Sequence, residues 1–179
     1  MRLILLCLGL LIALAGFPQN KAQISTGVGL VNFGGVYGVG ASSEILFPVR
    51  KSFSYGLITG YSMGSDDRIN LQEAGSYNHH SIFIGDIDIR FNPKVFNSFY
   101  LALNAGGGIR HSNSTQILVN SNLEVNPTVS KDTGMGFHLG AGLFFFMNNR
   151  TSLGFHYSHD FYQEGFDFFC LKVGFTLLE

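Results

Sequence analysis

The residues from His80 to Arg110 decide how this chain is read: HSIFIGDIDIRF, then NPKVFN, then SFYLALNAGGGIR. From Asp86 to Phe91 the run alternates strictly. Asp86, Asp88 and Arg90 fall on one side, and Ile87, Ile89 and Phe91 on the other. That period of two is a strand with one polar and one apolar face. Asn92-Pro93 marks a turn. The next run sets Phe99, Leu101, Leu103, Ala105 and Ile109 against Tyr100, Ala102, Asn104 and Arg110. Each run matches the ~9–11 residues that a tilted strand needs to cross a bilayer. A soluble sandwich hides its apolar face. Here carboxylates and an arginine occupy the face that would line a small closed barrel, so the hairpin reads as the middle of a transmembrane β-barrel.

The rest of the chain agrees with this hairpin. Its 179 residues suit one domain, with 13% charged, 14% aromatic and 23 glycines. A formal net charge of −1 offers no attraction to nucleic acid. Residues 1–22 read as a secretory signal: Arg2 is the charged start and Leu3 to Phe17 the apolar core. Beyond it no segment approaches the ~20 apolar residues of a spanning helix. Cys7 falls inside the signal, which leaves Cys170 as the one cysteine of the expected mature chain and rules out a disulfide framework there.

Residues 23–179 then divide into eight strand candidates at 24–33, 38–48, 52–63, 79–91, 98–110, 134–147, 151–161 and 166–178. Connections alternate in length. Those at 49–52, 92–97 and 148–150 are short, and those at 64–78 and 111–133 are long; 34–37 and 162–165 lie on the long side but are brief. The expected fold is therefore all-β: an eight-stranded antiparallel up-and-down transmembrane barrel. Its short turns belong in the periplasm, its long loops outside, and both ends of the chain at the periplasmic rim. Expected outward residues include Phe53, Leu57, Leu139, Leu143, Phe155, Leu171 and Phe175. Glu44, Asp86, Asp88, Arg90, Arg110 and Lys172 are expected inside as a paired charge network, because buried charges must be compensated. Asn104, His138, His156 and Ser158 face the same way.

This layout resembles the small eight-stranded outer-membrane barrels of the OmpX and OmpA-barrel type, across the whole expected mature chain. The ending Lys172-x-Gly174-x-x-Leu177-x-Glu179 is similar to the signal read by the barrel-assembly machinery, although Glu179 stands where an aromatic is usual. The resemblance implies the bacterial outer membrane as location. It implies outer-membrane lipid, lipopolysaccharide and the assembly machinery as partners, with no extracellular partner named. The work expected of such a barrel is structural, or recognition through the loops at 64–78 and 111–133.

Two alternatives carry more chemistry. Phe155 to Asp167, FHYSHDFYQEGFD, is similar to the His-x-Ser region of PagL-type lipid A deacylases, which are also eight-stranded barrels. That resemblance implies His156 as base, Ser158 as nucleophile and Asp167 as the acid orienting the imidazole, with Gln163 and Gly165 on the family's Asn and Gly. The spacer is shorter here, and His159 replaces an Asn. A serine needs a neighbouring histidine to take its proton, and positions i and i+2 on a strand share a face. The expected facing, however, points His156 and Ser158 into the barrel, while an acyl chain arrives from outside. The second alternative is a narrow channel for small or apolar solutes. No cofactor is expected: Gly106-Gly-Gly108 lies within a strand and opens no helix. No metal site is expected either, since His79, His80, His111, His138, His156 and His159 are spread over different strands and loops.

Overall fold

The computed structural model describes residues 22–68, 75–119, 125–148, 150–163 and 165–177. The expected signal segment up to Lys21, with Cys7, lies outside the described residues, as does Glu179. Eight staves form a closed antiparallel barrel. They are β1 (Gln23–Phe33), β2 (Val36–Arg50), β3 (Phe53–Arg68), β4 (Gly75–Phe91), β6 (Phe99–Val119), β7 (Val125–Phe146), β8 (Thr151–Asp160) and β9 (Phe166–Thr176). A three-residue strand, β5 (Lys94–Phe96), sits in the turn after Pro93 and pairs with the start of β6. Each stave pairs with its sequence neighbours, and β1 pairs with β9, which closes the ring. Closure gives the backbone polar groups at membrane depth their partners, the condition for a sheet to cross lipid. Gln23 lies opposite Thr176, so the first and last staves end at the same rim.

The alternation read from the sequence sets the two faces. Val28, Leu57, Ile87, Ile89, Ile109, Leu139, Phe155 and Leu171 are all exposed on the outer wall. Their chain neighbours turn inward. Near the rim of the short turns, Phe47 stacks with Tyr55 and Phe53 packs on Phe91. Toward the other rim, Tyr61 pairs with Phe83 and Tyr157 with Phe169. These are two aromatic girdles flanking an aliphatic band, the side-chain order of a bilayer-spanning barrel. Phe144–Phe146, ambiguous in the sequence, resolve by the same period: Phe144 is buried inside and Phe145 is exposed outside.

The long connections differ from expectation. Most of 64–78 and 111–133 is strand, not loop. β3 runs on to Arg68 and β4 starts at Gly75; β6 runs to Val119 and β7 starts at Val125. The reason is that β4 and β6 pair without interruption from Phe91↔Leu103 to Gly75↔Val119, so each hairpin supports the other. Strand spacing in the sequence reports the membrane crossing, where facing must alternate. Above the membrane both faces meet water, so the polar run Ser112–Gln116 carries no such signal. The result is a four-stranded sheet, β3–β4–β6–β7, rising past the rim on one side of the barrel. Its β7 edge has no strand partner before His138 among the described residues. Pro127, Lys131 and Asp132 lie on that edge, and proline and charge both discourage further strand pairing.

Candidate functional site

The interior is layered. At the short-turn end lie Leu46 and Phe144, with the Arg90 guanidinium 5.9 Å from the Phe144 ring centre. At the other end is an apolar cluster of Val31, Ile82, Tyr162, Phe166, Phe168 and Cys170. Between them is the charge network. Arg90 forks onto Glu44, with Nη1–Oε1 2.7 Å and Nη2–Oε2 2.6 Å. Lys172 Nζ donates to the same carboxylate at 2.7 Å, and the Ser25 hydroxyl donates to it as well. Asp88 lies 3.7 Å from Arg90 and accepts from Asn104 Nδ2 at 3.1 Å.

The second half centres on Arg110, which is fully buried. Its Nε and Nη2 donate to Asp160 Oδ2 at 2.8 and 2.6 Å. Its Nη1 and Nη2 donate to the two oxygens of Asp86. His138 joins the halves, with Nδ1 2.8 Å from Asp86 and Nε2 3.1 Å from Asp88. Four carboxylates of the network (Glu44, Asp86, Asp88 and Asp160) thus face its three fixed cations, Arg90, Arg110 and Lys172. His138, with a carboxylate oxygen at each ring nitrogen, is placed to supply the fourth positive charge. Glycine makes room for this. A Cβ on Gly106 would lie 2.7 Å from the Ile87 carbonyl oxygen and 3.0 Å from Asp88 Oδ1. One on Gly136 would lie 2.9 Å from Arg110 Nε.

All six expected network residues, Glu44, Asp86, Asp88, Arg90, Arg110 and Lys172, therefore face inward and are paired. Asp160 belongs with them but escapes the sequence reading, because it ends its strand beside a polar connection. Its even number, shared with His156 and Ser158 on β8, is the signal that places it.

The expected triad does not assemble. His156 and Ser158 point inward, and His156 Nε2 lies 2.7 Å from Asn104 Oδ1. Asp167 lies on the outer face, where it accepts from Tyr157 Oη at 2.6 Å and meets His159 Nδ1 at 2.8 Å. The register places His159, not Ser158, opposite Asp167. A one-residue difference in position along a strand is a difference of face, so the wall of the barrel separates the acid from the His-Ser pair. Of the six histidines, His138 and His156 meet at the Asn104 amide, at 3.1 and 2.7 Å, while His159 lies on the outer face beside Asp167. Among the described residues the one grouping with metal-ligand spacing is Asp86, His138 and Asp160. Arg110 donates to both carboxylates and so offsets one of their two negative charges.

No protein-family model and no curated protein sequence matches the chain. Solved structures do. A major outer membrane protein from Thermus thermophilus superposes with a TM-score of 0.61 at 12% identity, covering 88% of this chain and 100% of that one. Neisserial surface protein A gives 0.55 at 8% identity, over 88% and 96% of the two chains. Ail, the attachment invasion locus protein of Yersinia pestis, gives 0.52 at 12% identity, over 89% and 100%. At such identities the likeness is one of architecture: this chain has the fold of the small outer-membrane β-barrels.

Proposed function

We propose that the protein is an integral barrel of the bacterial outer membrane that carries a protruding sheet for recognition or surface structure, without catalysis. The observation that carries this is the wall. A continuous belt of exposed aliphatic and aromatic side chains encircles an interior of paired charges. Soluble monomers rarely expose contiguous apolar patches beyond a few hundred Å², whereas lipid tails solvate such a belt. Residues 1–22 then act as the export signal, and the Lys172-to-Leu177 ending serves recognition by the barrel-assembly machinery. Lipid and lipopolysaccharide contact the wall. The β3–β4 and β6–β7 hairpins face outward, and the turn at Lys94–Phe96 faces the periplasm.

The packed interior argues against a channel. Within the network, the cavity beside Ser42, His156 and Ser158 is about 40 Å³, room for a few water molecules. The separation of Asp167 from His156 and Ser158 argues against deacylation by that triad.

Fractionation and labelling test the reading together. The protein should partition with outer membranes and change gel mobility on heating in detergent. On intact cells, a membrane-impermeant maleimide should label Val129→Cys on the β7 hairpin and leave Val95→Cys in the short turn untouched; both positions are exposed. Recovery as a soluble periplasmic monomer overturns the proposal, and labelling at position 95 alone reverses its orientation.

A further inference from the structure

The connection between β8 and β9 folds inward over the barrel mouth. Gln163 and Gly165 take left-handed backbone angles, φ 54° and 79°, which reverse the chain shortly after Phe161. Tyr162 is driven under the rim and Phe166 follows it; both are buried. Asp132 on β7 pins the fold, accepting from Tyr162 Oη and Gln163 Nε2, each at 2.7 Å. Phe161 N donates to the Phe137 carbonyl at 2.9 Å.

Between this inturned segment and the rising sheet lies a cavity of about 330 Å³, at the low end of the ~300–1,000 Å³ typical of ligand sites. Its lining combines two chemistries. Phe33, Ile82, Tyr162 and Phe166 are its apolar, largely aromatic part. Ser112, Ser114, Ser130 and Gln163 supply hydroxyl and amide groups beside them, with Ser112 directly across from Ile82 in the β4–β6 register. Among the described residues no carboxylate, lysine or arginine lines it. Arg110 is held by Asp86 and Asp160, and the Asp132 carboxylate is engaged by Tyr162 and Gln163. His80, on the wall, is stacked on Phe33 with ring centres 6.0 Å apart.

We propose that this mouth binds an uncharged hexopyranose, its C–H face against the aromatic rings and its hydroxyls on the serine and glutamine side chains. Hydroxyls that both donate and accept suit a ligand with the same property, and an aromatic face buries the apolar side of such a ring. An anionic or cationic ligand would enter with no fixed countercharge on the described lining. A purely apolar ligand would strip water from the serines without replacing its hydrogen bonds. The inference rests on the reading that this rim faces outward.

The test is saturation-transfer NMR on the purified barrel in detergent, with methyl hexopyranosides of several configurations and with glucuronate as the charged comparison. At least one neutral pyranoside should receive saturation, and glucuronate should not. Ser130→Phe, an exposed position above the membrane, fills the site and should weaken binding about tenfold or more, the scale of a lost hydrogen bond plus lost contact. Ser114→Ala should weaken it in the same direction and tests the serine side chains if Ser130→Phe does not fold. No transfer to any neutral pyranoside, equal transfer to glucuronate, or unchanged binding in the folded variants overturns the proposal. Heat-dependent mobility is read on the same samples. A barrel that keeps it and binds no pyranoside refutes the sugar site alone. Wild type that lacks it refutes the membrane-barrel reading as well.

Discussion

Replacing Arg110 with methionine should be among the most damaging single changes in this barrel. Arg110 is fully buried and its guanidinium donates to both Asp86 and Asp160, twice to each. Methionine fills similar length with no charge, so the loss is electrostatic and not a cavity. Asp86 would then depend on His138, and Asp160 on the Tyr162 backbone N–H. Neither donor replaces a guanidinium shared by both acids. Removing one member of a buried ion group typically costs about 3–5 kcal/mol, because the uncompensated charge stays behind. A single hydrogen bond to a charged group contributes about 1.5–3 kcal/mol, so the bonds lost here accommodate that figure without adding in full. The measurement is urea unfolding in lipid vesicles, followed by circular dichroism because the chain has no tryptophan. The decisive comparison is the triple variant Arg110→Met, Asp86→Asn, Asp160→Asn. It removes the stranded charges with the arginine and should recover most of the loss. If Arg110→Met alone falls within about 0.5 kcal/mol of wild type, as a neutral surface change would, the network does not hold the lumen as described. If the triple variant is as unstable as the single one, shape and not charge accounts for the site.

Facing and position set the remaining expectations. Ile87 lies opposite Leu57, midway between the girdle pairs Tyr61–Phe83 and Phe53–Phe91, so Ile87→Arg should destabilise by about 2–4 kcal/mol, and Ile89→Arg, opposite Tyr55 of the girdle, by about 0–1 kcal/mol; equal costs would move the midplane away from Ile87. A lipid-soluble thiol probe should label Ile89→Cys and spare Asp88→Cys, since Ile89 is exposed and Asp88 fully buried; the reverse pattern inverts the wall. The Asp132 tether should be insensitive to pH from 7 to about 5. Hydrogen bonds from Tyr162 and Gln163 hold that carboxyl below its ordinary value, so its contribution is present above the unfolded value and is lost only as pH falls through the lower, folded one. Amide exchange at Gln163 reports this, and loosening already at pH 6 contradicts it. Purified protein given lipid A should release no 3-hydroxy fatty acid, and Ser158→Ala should leave the barrel folded; release by wild type that disappears in Ser158→Ala would restore the esterase reading.

Much of this protein is legible in its sequence because a bilayer imposes a strict local rule. Every stave must alternate lipid and lumen, so Asp86-Ile87-Asp88-Ile89-Arg90 declares both faces within one short run. The eight staves, the inward charges and the short turns follow from that one period. What the sequence leaves open depends on distance in the chain. Glu44 and Lys172 are 128 residues apart and Arg110 and Asp160 are 50 apart, so their pairing exists only after the ring closes. The spacing of His156, Ser158 and Asp167 suits a triad, yet a single step of register puts Asp167 on the other side of the wall. Above the membrane the alternation rule lapses. There the rise of β6 and β7 beyond the rim, and the inward fold of Tyr162 onto Asp132, are decided by tertiary pairing, because no local periodicity distinguishes a water-exposed strand from a loop.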